Sequence, residues 1–427
     1  MIGLVLAYMR DRPLVTALNI LLLALAVATL AILLLVSHQV GERLVRNAQG
    51  IDLVVGAKGS PLQLILSSIY HMDQPTGNIP LEAIALLRRD PAVAQVVPLA
   101  LGDNFHGYRI VGTEHDYAAL YGAELAQGRM FAAQGEAVMG AQVAAKLGAG
   151  IGQKFVGSHG LGDGEGAGEH HAHPFITVGI MEPTGTVLDR LILTSIETVW
   201  DVHGIAHQSH EGHPHERASH YDHGHEDHVH HGSDGQGEAN AGTHPDPEVT
   251  ALLVRYRNAA GAVRIPSMIN RQTDMQAAVP AIETARLLSL LGVGIDAARL
   301  FAWLLATIGG LSIFVTLLSA ANAREGDLAL LRVMGASRLR VIGTLMAEGL
   351  LTALAGGALG LVAGHLVLAG VIGGFSPLAE LGLEPWRLLP GEFLILCAVI
   401  AIGLAAASIP ALRVFRSDLA QTLARTG

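Results

Sequence analysis

The 427-residue chain is predicted to form an α-helical bundle of four membrane spans, with an α+β domain inserted between the first and second spans. Three observations carry that prediction. The chain is 51% hydrophobic and only 15% charged, against about 25% charged in a typical soluble domain. Its apolar residues are gathered into four long runs. One polar stretch of about 260 residues separates the first run from the other three.

The first run is Leu14 to Val36, interrupted only by Thr16, Asn19 and Thr29. As a helix it would be about 34 Å long at ~1.5 Å per residue, enough for the ~30 Å hydrocarbon core. It is longer than the apolar core of a signal peptide, and no small-residue cleavage pattern follows it, so it reads as a retained anchor. The other spans are expected at about residues 300–321, 345–372 and 393–409. The third is longer than a bilayer requires and must tilt, kink or emerge. The expected domains are therefore residues 1–41, 42–285 with a low-complexity insert at about 157–248, and 286–427.

Charge orients the spans. Arg10 and Arg12 precede the first; Arg324, Arg332, Arg338 and Arg340 lie between the second and third; Arg413, Arg416 and Arg425 follow the fourth. The last connection carries Glu380 and Glu384 against Arg387. The positive-inside rule then places both termini and residues 323–341 in the cytoplasm, and the insert outside, in the periplasm of a bacterial inner membrane. The formal charge of −10 argues against nucleic acid as a partner. The single cysteine, Cys397, falls within the fourth span and is expected to pack inside the bundle.

Along the insert, a helix is expected to continue from Ser37 to Gly50. Strand character is read at 51–57, 93–99, 108–112, 137–140, 175–181 and 249–256, from β-branched residues bounded by turn signals. Helical segments are read at 62–70, 80–89, 141–147 and 265–286. Gly157 to Gly168 and His203 to His244 are too polar and too low in complexity to bury a core.

The histidine tract is the sharpest chemical signal. Sixteen of the 21 histidines lie between His159 and His244. The densest stretch holds His203, His207, His210, His213, His215, His220, His223, His225, His228, His230 and His231, interleaved with carboxylates such as Glu211, Asp222 and Asp227. Imidazole suits Zn, Cu and Ni. Spacings of two to five residues let a flexible strand wrap an ion with several rings, so weak, multi-site binding of zinc (or nickel or copper) is expected. A solvated acidic loop and a pH sensor are the competing readings. Catalysis is not expected. A zinc-peptidase helix needs H-E-x-x-H, and neither His215-Glu216 nor His225-Glu226 has its second histidine at that spacing. No intrinsic cofactor is expected. Lys58, Lys146 and Lys154 are the only lysines and none completes a P-loop.

Between the second and third runs, Arg324, Glu325 and Asp327 open a segment in which Leu328, Leu331 and Met334 recur at helical spacing. Gly335-Ala336-Ser337 breaks it. In the third span, Gly356, Gly360 and Gly364 form a ladder of small residues that lets helices approach closely. Glu348 and His365 are ionisable groups in or near a span, and so are functional candidates.

The run REGDLALLRVMGASRLRVIGTLMAEGLLTALAGGALGLVAG, together with the tail IPALRVFRSDLAQTL, resembles FtsX/MacB-type ABC transporter permeases. The order of one helix, a large exterior domain and three helices fits the same family. The resemblance implies a non-enzymatic membrane subunit that works as a homodimer with a dimer of a cytoplasmic ATPase, which binds the ATP. It implies that Arg324, Glu325, Arg332, Gly335, Ala336, Ser337 and Glu348 couple the chain to that ATPase, and that force passes to the exterior domain. The histidine tract points to metal, above all zinc, handling. Cargo such as lipoproteins, lipids, peptides or drugs, and non-transport regulation of a periplasmic partner, are the alternatives.

Overall fold

In the computed structural model, residues 2–159, 174–202, 247–323, 337–374 and 382–416 are described. They divide into two compact units, one of residues Met1–Val45 with Ala285–Gly427, the other of Arg46–Thr284.

The first unit begins with α1 (Ile2–Asp11) and α2 (Pro13–Ala48). Pro13 opens α2, where a missing N–H costs no hydrogen bond. The helix runs 36 residues, well past the apolar run that occupies its N-terminal part.

The inserted unit is built on a mixed sheet. Its elements are β1 (Leu53–Ala57), α3 (Pro61–Ser68), β2 (Ile79–Pro80), α4 (Glu82–Arg88), β3 (Val93–Phe105), β4 (Tyr108–Thr113), α5 (Asp116–Leu120), β5 (Leu125–Gly128), β6 (Glu136–Met139), α6 (Ala141–Leu147), β7 (Lys154–Phe155), β8 (Ser158–His159), β9 (Phe175–Met181), β10 (Ile192–Thr194), α7 (Ile196–Val202), β11 (Glu248–Val249), β12 (Ala251–Tyr256), α8 (Ala259–Gln272) and β13 (Met275–Ala278). The main path is β13-β1-β12-β3-β4-β10-β6-β9-β5. The β4–β10 and β6–β9 pairs are parallel and the others antiparallel.

Two apolar clusters hold this unit. One gathers Leu87, Val93, Trp200, Ile265 and Ile269 around β1, β3 and β12. The Trp200 indole N–H donates to the Glu248 carbonyl at 2.7 Å, so burying that ring strands no polar atom. The other surrounds Phe155 and Phe175, whose rings stack at 5.2 Å.

Three sequence expectations are corrected here. The helix read over 265–286 is broken: α8 ends at Gln272, and β13 pairs with β1 before α9 begins at Pro280. The Asn270 side chain turns the chain by accepting from Ala277 N at 2.7 Å, a local bond that competes with helix continuation. The strand read over 249–256 is two: β11 pairs with β2, while β12 lies between β1 and β3. The strand read over 93–99 runs on to Phe105, because β4 supplies partners as far as Phe105↔Tyr108.

The chain then returns to the first unit with α9 (Pro280–Ala323), α10 (Arg338–Gly374) and α11 (Pro390–Arg416). With α2, these are the four helices among the described residues that are long and apolar enough to cross a membrane. At 44 residues, α9 is about 66 Å long at ~1.5 Å per residue, twice the hydrocarbon thickness. Helix α11 continues through Pro410, beyond the end expected at residue 409. Neighbouring helices tolerate such prolines in membrane spans. Cys397 lies on the exposed side of α11, whereas Val399 and Ala407 occupy the buried seam, so the expectation that it packs inside the bundle is also corrected.

Candidate functional site

Helix α10 organises the bundle. Ser337 precedes it, and both its carbonyl and its hydroxyl accept from Arg340 N, at 3.0 and 3.3 Å. That is the bonding of an N-terminal cap. Glu348 is buried one to two turns further on from the start of the apolar stretch, and its carbonyl accepts from the Thr352 hydroxyl at 2.8 Å.

The glycine ladder faces α2. A β-carbon at Gly356 would stand 2.7 Å from Leu23 Cβ, one at Gly360 2.6 Å from the Ala24 carbonyl, and one at Gly364 3.2 Å from the Ala28 carbonyl. Ordinary contact begins near 3.4 Å, so only glycine admits so close an approach along this seam. A second close seam joins α10 to α11: a β-carbon at Gly349 would lie 2.8 Å from Ala407 Cβ, and one at Gly403 2.6 Å from Ala353 Cβ. Helix α10 is thus wedged between α2 and α11 with little slack on either side.

Polar groups add to the packing at two places that hydropathy alone does not reveal. Asn19 of α2 is buried, donating to the Thr316 hydroxyl at 3.2 Å and accepting from the Ser312 hydroxyl at 2.6 Å, both on α9. At the far end of α10, His365 meets Glu392 of α11 at 3.2 Å. The connection between α10 and α11 is also fastened to α2. Gln39 exchanges two hydrogen bonds with the Glu384 backbone, at 3.0 and 2.7 Å, Arg43 donates to the Gly382 carbonyl, and Arg387 pairs with Glu42 at 2.7 Å. The signal for these was present in the sequence as polar residues in or beside apolar runs, but not the identity of their partners.

In the inserted unit, His71 adopts a left-handed backbone (φ 53°) and is half-buried, its ring turned inward with Nε2 2.9 Å from the Tyr117 hydroxyl. Burial, reinforced by Arg109 and Arg190, holds its imidazole well below the ordinary histidine range, so it is neutral. Burial also raises the phenols of Tyr117 and Tyr121. This cluster is a structural support: Tyr121 donates to the Asn47 carbonyl at 3.0 Å, and Asn47 Oδ1 accepts from Val187 N at 3.0 Å.

The coupling candidates Arg324, Glu325, Arg332, Gly335 and Ala336 lie outside the described residues, as do the metal candidates His207 to His231. Among the described residues, no group of three or more His, Cys, Asp or Glu side chains is placed to hold a metal ion.

A multi-pass membrane bundle carrying a large α/β insert after its first span is a defined class of protein. A family model described as the MacB-like periplasmic core domain matches residues 16–285, and one described as the FtsX-like permease C-terminal matches residues 299–419. The chain belongs to the FtsX/MacB-type permeases, the membrane components of ABC transporters, which work with a cytoplasmic ABC ATPase. Among solved structures it is similar to the extracellular domain of the noncanonic ABC-type transporter YknZ from Gram-positive bacteria, at 14% identity, over 53% of this chain and 98% of that one, with a TM-score of 0.29. No relative is found among curated proteins.

Proposed function

We propose that the chain couples ATP hydrolysis on a separate cytoplasmic ATPase to movement of its periplasmic domain, and that this movement serves transition-metal handling, with zinc the first candidate. The observation that carries the mechanical part is the glycine seam between α10 and α2. A push on the segment 323–341 enters α10 at Ser337. Because the seam has no slack, α2 must follow. Helix α2 runs unbroken to Ala48, so its last residues, from Arg46 on, already belong to the inserted unit, where Asn47 bonds Tyr121 and Val187. Motion thus reaches the insert through a helix rather than through a channel.

The arginine-rich flanks support a cytoplasmic location for both termini and for residues 323–341. The exposed apolar face of α9, including Leu290, Val293, Leu300, Leu304, Ile308 and Leu311, supports a homodimer. At about 66 Å the helix outruns the lipid, so part of such a face calls for a protein neighbour. The coupling residues are proposed to be Arg324, Glu325, Arg332, Gly335, Ala336, Ser337 and Glu348. Charge reversal Arg332→Glu is expected to abolish co-purification with the ATPase; undiminished co-purification would remove this assignment.

The metal part rests on the density of imidazoles in His207 to His231. Bound there, a zinc ion would be held by several neutral ring nitrogens and exchanged readily. Calorimetric titration of the purified full chain with zinc, against the same chain lacking 203–231, tests it. Micromolar or tighter binding that disappears with the deletion supports metal handling. Binding that is absent, or that survives the deletion, turns the reading to a lipoprotein, lipid or peptide cargo, or to regulation of a periplasmic partner.

A further inference from the structure

The end of α10 opposite Ser337 holds an acid–base pair that the coupling route does not use. His365 and Glu392 are each only 5% exposed. Three bonds define the pair. His365 Nδ1 lies 2.5 Å from the Pro385 carbonyl oxygen, His365 Nε2 lies 3.2 Å from Glu392 Oε2, and Leu389 N donates to Glu392 Oε1 at 3.1 Å. The Trp386 ring stacks on the imidazole at 5.9 Å with an interplanar angle of 12°.

Proton counting follows from these contacts. A carbonyl oxygen only accepts, so Nδ1 must carry hydrogen. Nε2 then faces a carboxyl group, and a bond between them needs one further proton. It can sit on the nitrogen, giving imidazolium and carboxylate, or on the oxygen, giving imidazole and carboxylic acid. Both forms have the same proton count and no net charge. Removing that proton to water leaves two lone pairs facing each other and one uncompensated negative charge, so the contact between the two side chains is lost.

The same two side chains clasp the connection between α10 and α11, His365 through Pro385 and Glu392 through Leu389. We propose that His365 and Glu392 hold one shared proton as a latch, and that its release frees residues 382–389 from the ends of α10 and α11. The charged groups around the latch are Glu384 and Arg387 on the connection and His38, Glu42 and Arg43 on α2. Arg387 and His38 both sit on Glu42, at 2.7 and 3.1 Å. These neighbours form a separate fastening, so His38 is the titratable group that must be told apart from His365. The latch makes the hold on the connection, and with it the link from α10 to the outer part of α2, responsive to protons.

The test is hydrogen–deuterium exchange of residues 382–389 in the full chain in lipid nanodiscs from pH 5.5 to 9.5, with rates corrected for intrinsic exchange. One linked proton makes protection fall by up to about tenfold per pH unit once release begins. Glu392→Gln and His365→Gln keep a polar side chain but cannot share the proton, so their protection is expected to be independent of pH. His38→Gln should keep the wild-type dependence. In a Trp200→Phe, Trp303→Phe background, Trp386 fluorescence should change over the same pH interval as the exchange, because the indole stacks on the ring whose partner contact breaks when the proton leaves. Wild-type protection that stays flat across the range, a dependence that persists in both Glu392→Gln and His365→Gln, or one that vanishes in His38→Gln would each overturn the proposal.

Discussion

Replacing Gly360 with alanine tests the seam on which the coupling route depends. The added β-carbon would lie 2.6 Å from the Ala24 carbonyl oxygen and 2.6 Å from Val27 Cβ. Both atoms belong to the framework of α2, so neither can swing aside, and the helices must separate by about 0.8 Å to restore ordinary contact. Overpacking of this kind costs about 1–3 kcal/mol. Alanine also favours the helix over glycine by about 1 kcal/mol, which partly hides the clash. Gly370, on the same helix, removes that ambiguity, since a β-carbon there meets nothing within 4 Å. The propensity gain is common to both substitutions. Gly360→Ala should therefore be less stable than Gly370→Ala by about 1–3 kcal/mol. Gly357→Ala should fall between them, because its contact, at 2.6 Å, is the flexible end of Leu396. Equilibrium unfolding of the purified chain in mixed detergent micelles of rising SDS content measures the difference. Equal stability of the Gly360 and Gly370 variants would refute the claim that the seam lacks slack.

Other perturbations follow from the same structure. Asn19→Leu removes two bonds to α9 and should destabilise the bundle by about 0.6–2 kcal/mol in the same SDS assay. Glu136 is held down to about 2 by the Arg129 guanidinium and by Ala132 N and Ala133 N. A depressed carboxylate stabilises the fold above its ordinary value of 4.5 and loses that contribution as pH falls toward 2. Glu136→Gln should flatten the decline of the unfolding midpoint across that window. His71 has the opposite sense: the unfolded chain takes up its proton more readily than the folded one, so stability drops as pH falls below 6.5. His71→Gln should reduce the loss between pH 6.5 and 5, read from the pH dependence of the same midpoint.

The four spans, the position of the insert between the first and second, and several of its elements could be read directly from the residues. The helix over Ala141–Leu147 and the strand over Phe175–Met181 have the bounds their local pattern predicts. The glycine ladder announced a close helix contact but not which helix. Elsewhere local pattern misled. Apolar periodicity suited a helix through Met275–Ala278, yet β1 offered that segment a full set of backbone partners and the strand won. Leu125–Gly128 and Ile192–Thr194 are too short to stand out in a window, and exist as strands because β9 and β4 lie beside them.

Hydropathy and charge are properties of the chain taken a few residues at a time, which is why the sequence by itself determined the membrane class, the order of spans and the arginine-rich connection. Which faces meet is a property of the whole fold. Gln39 and Glu384 are 345 residues apart, and His365 and Glu392 are 27 apart. No local pattern pairs them. They meet because the glycines of α10 bring both α2 and α11 close against it, and because polar groups buried by that packing must find partners or pay the cost of desolvation.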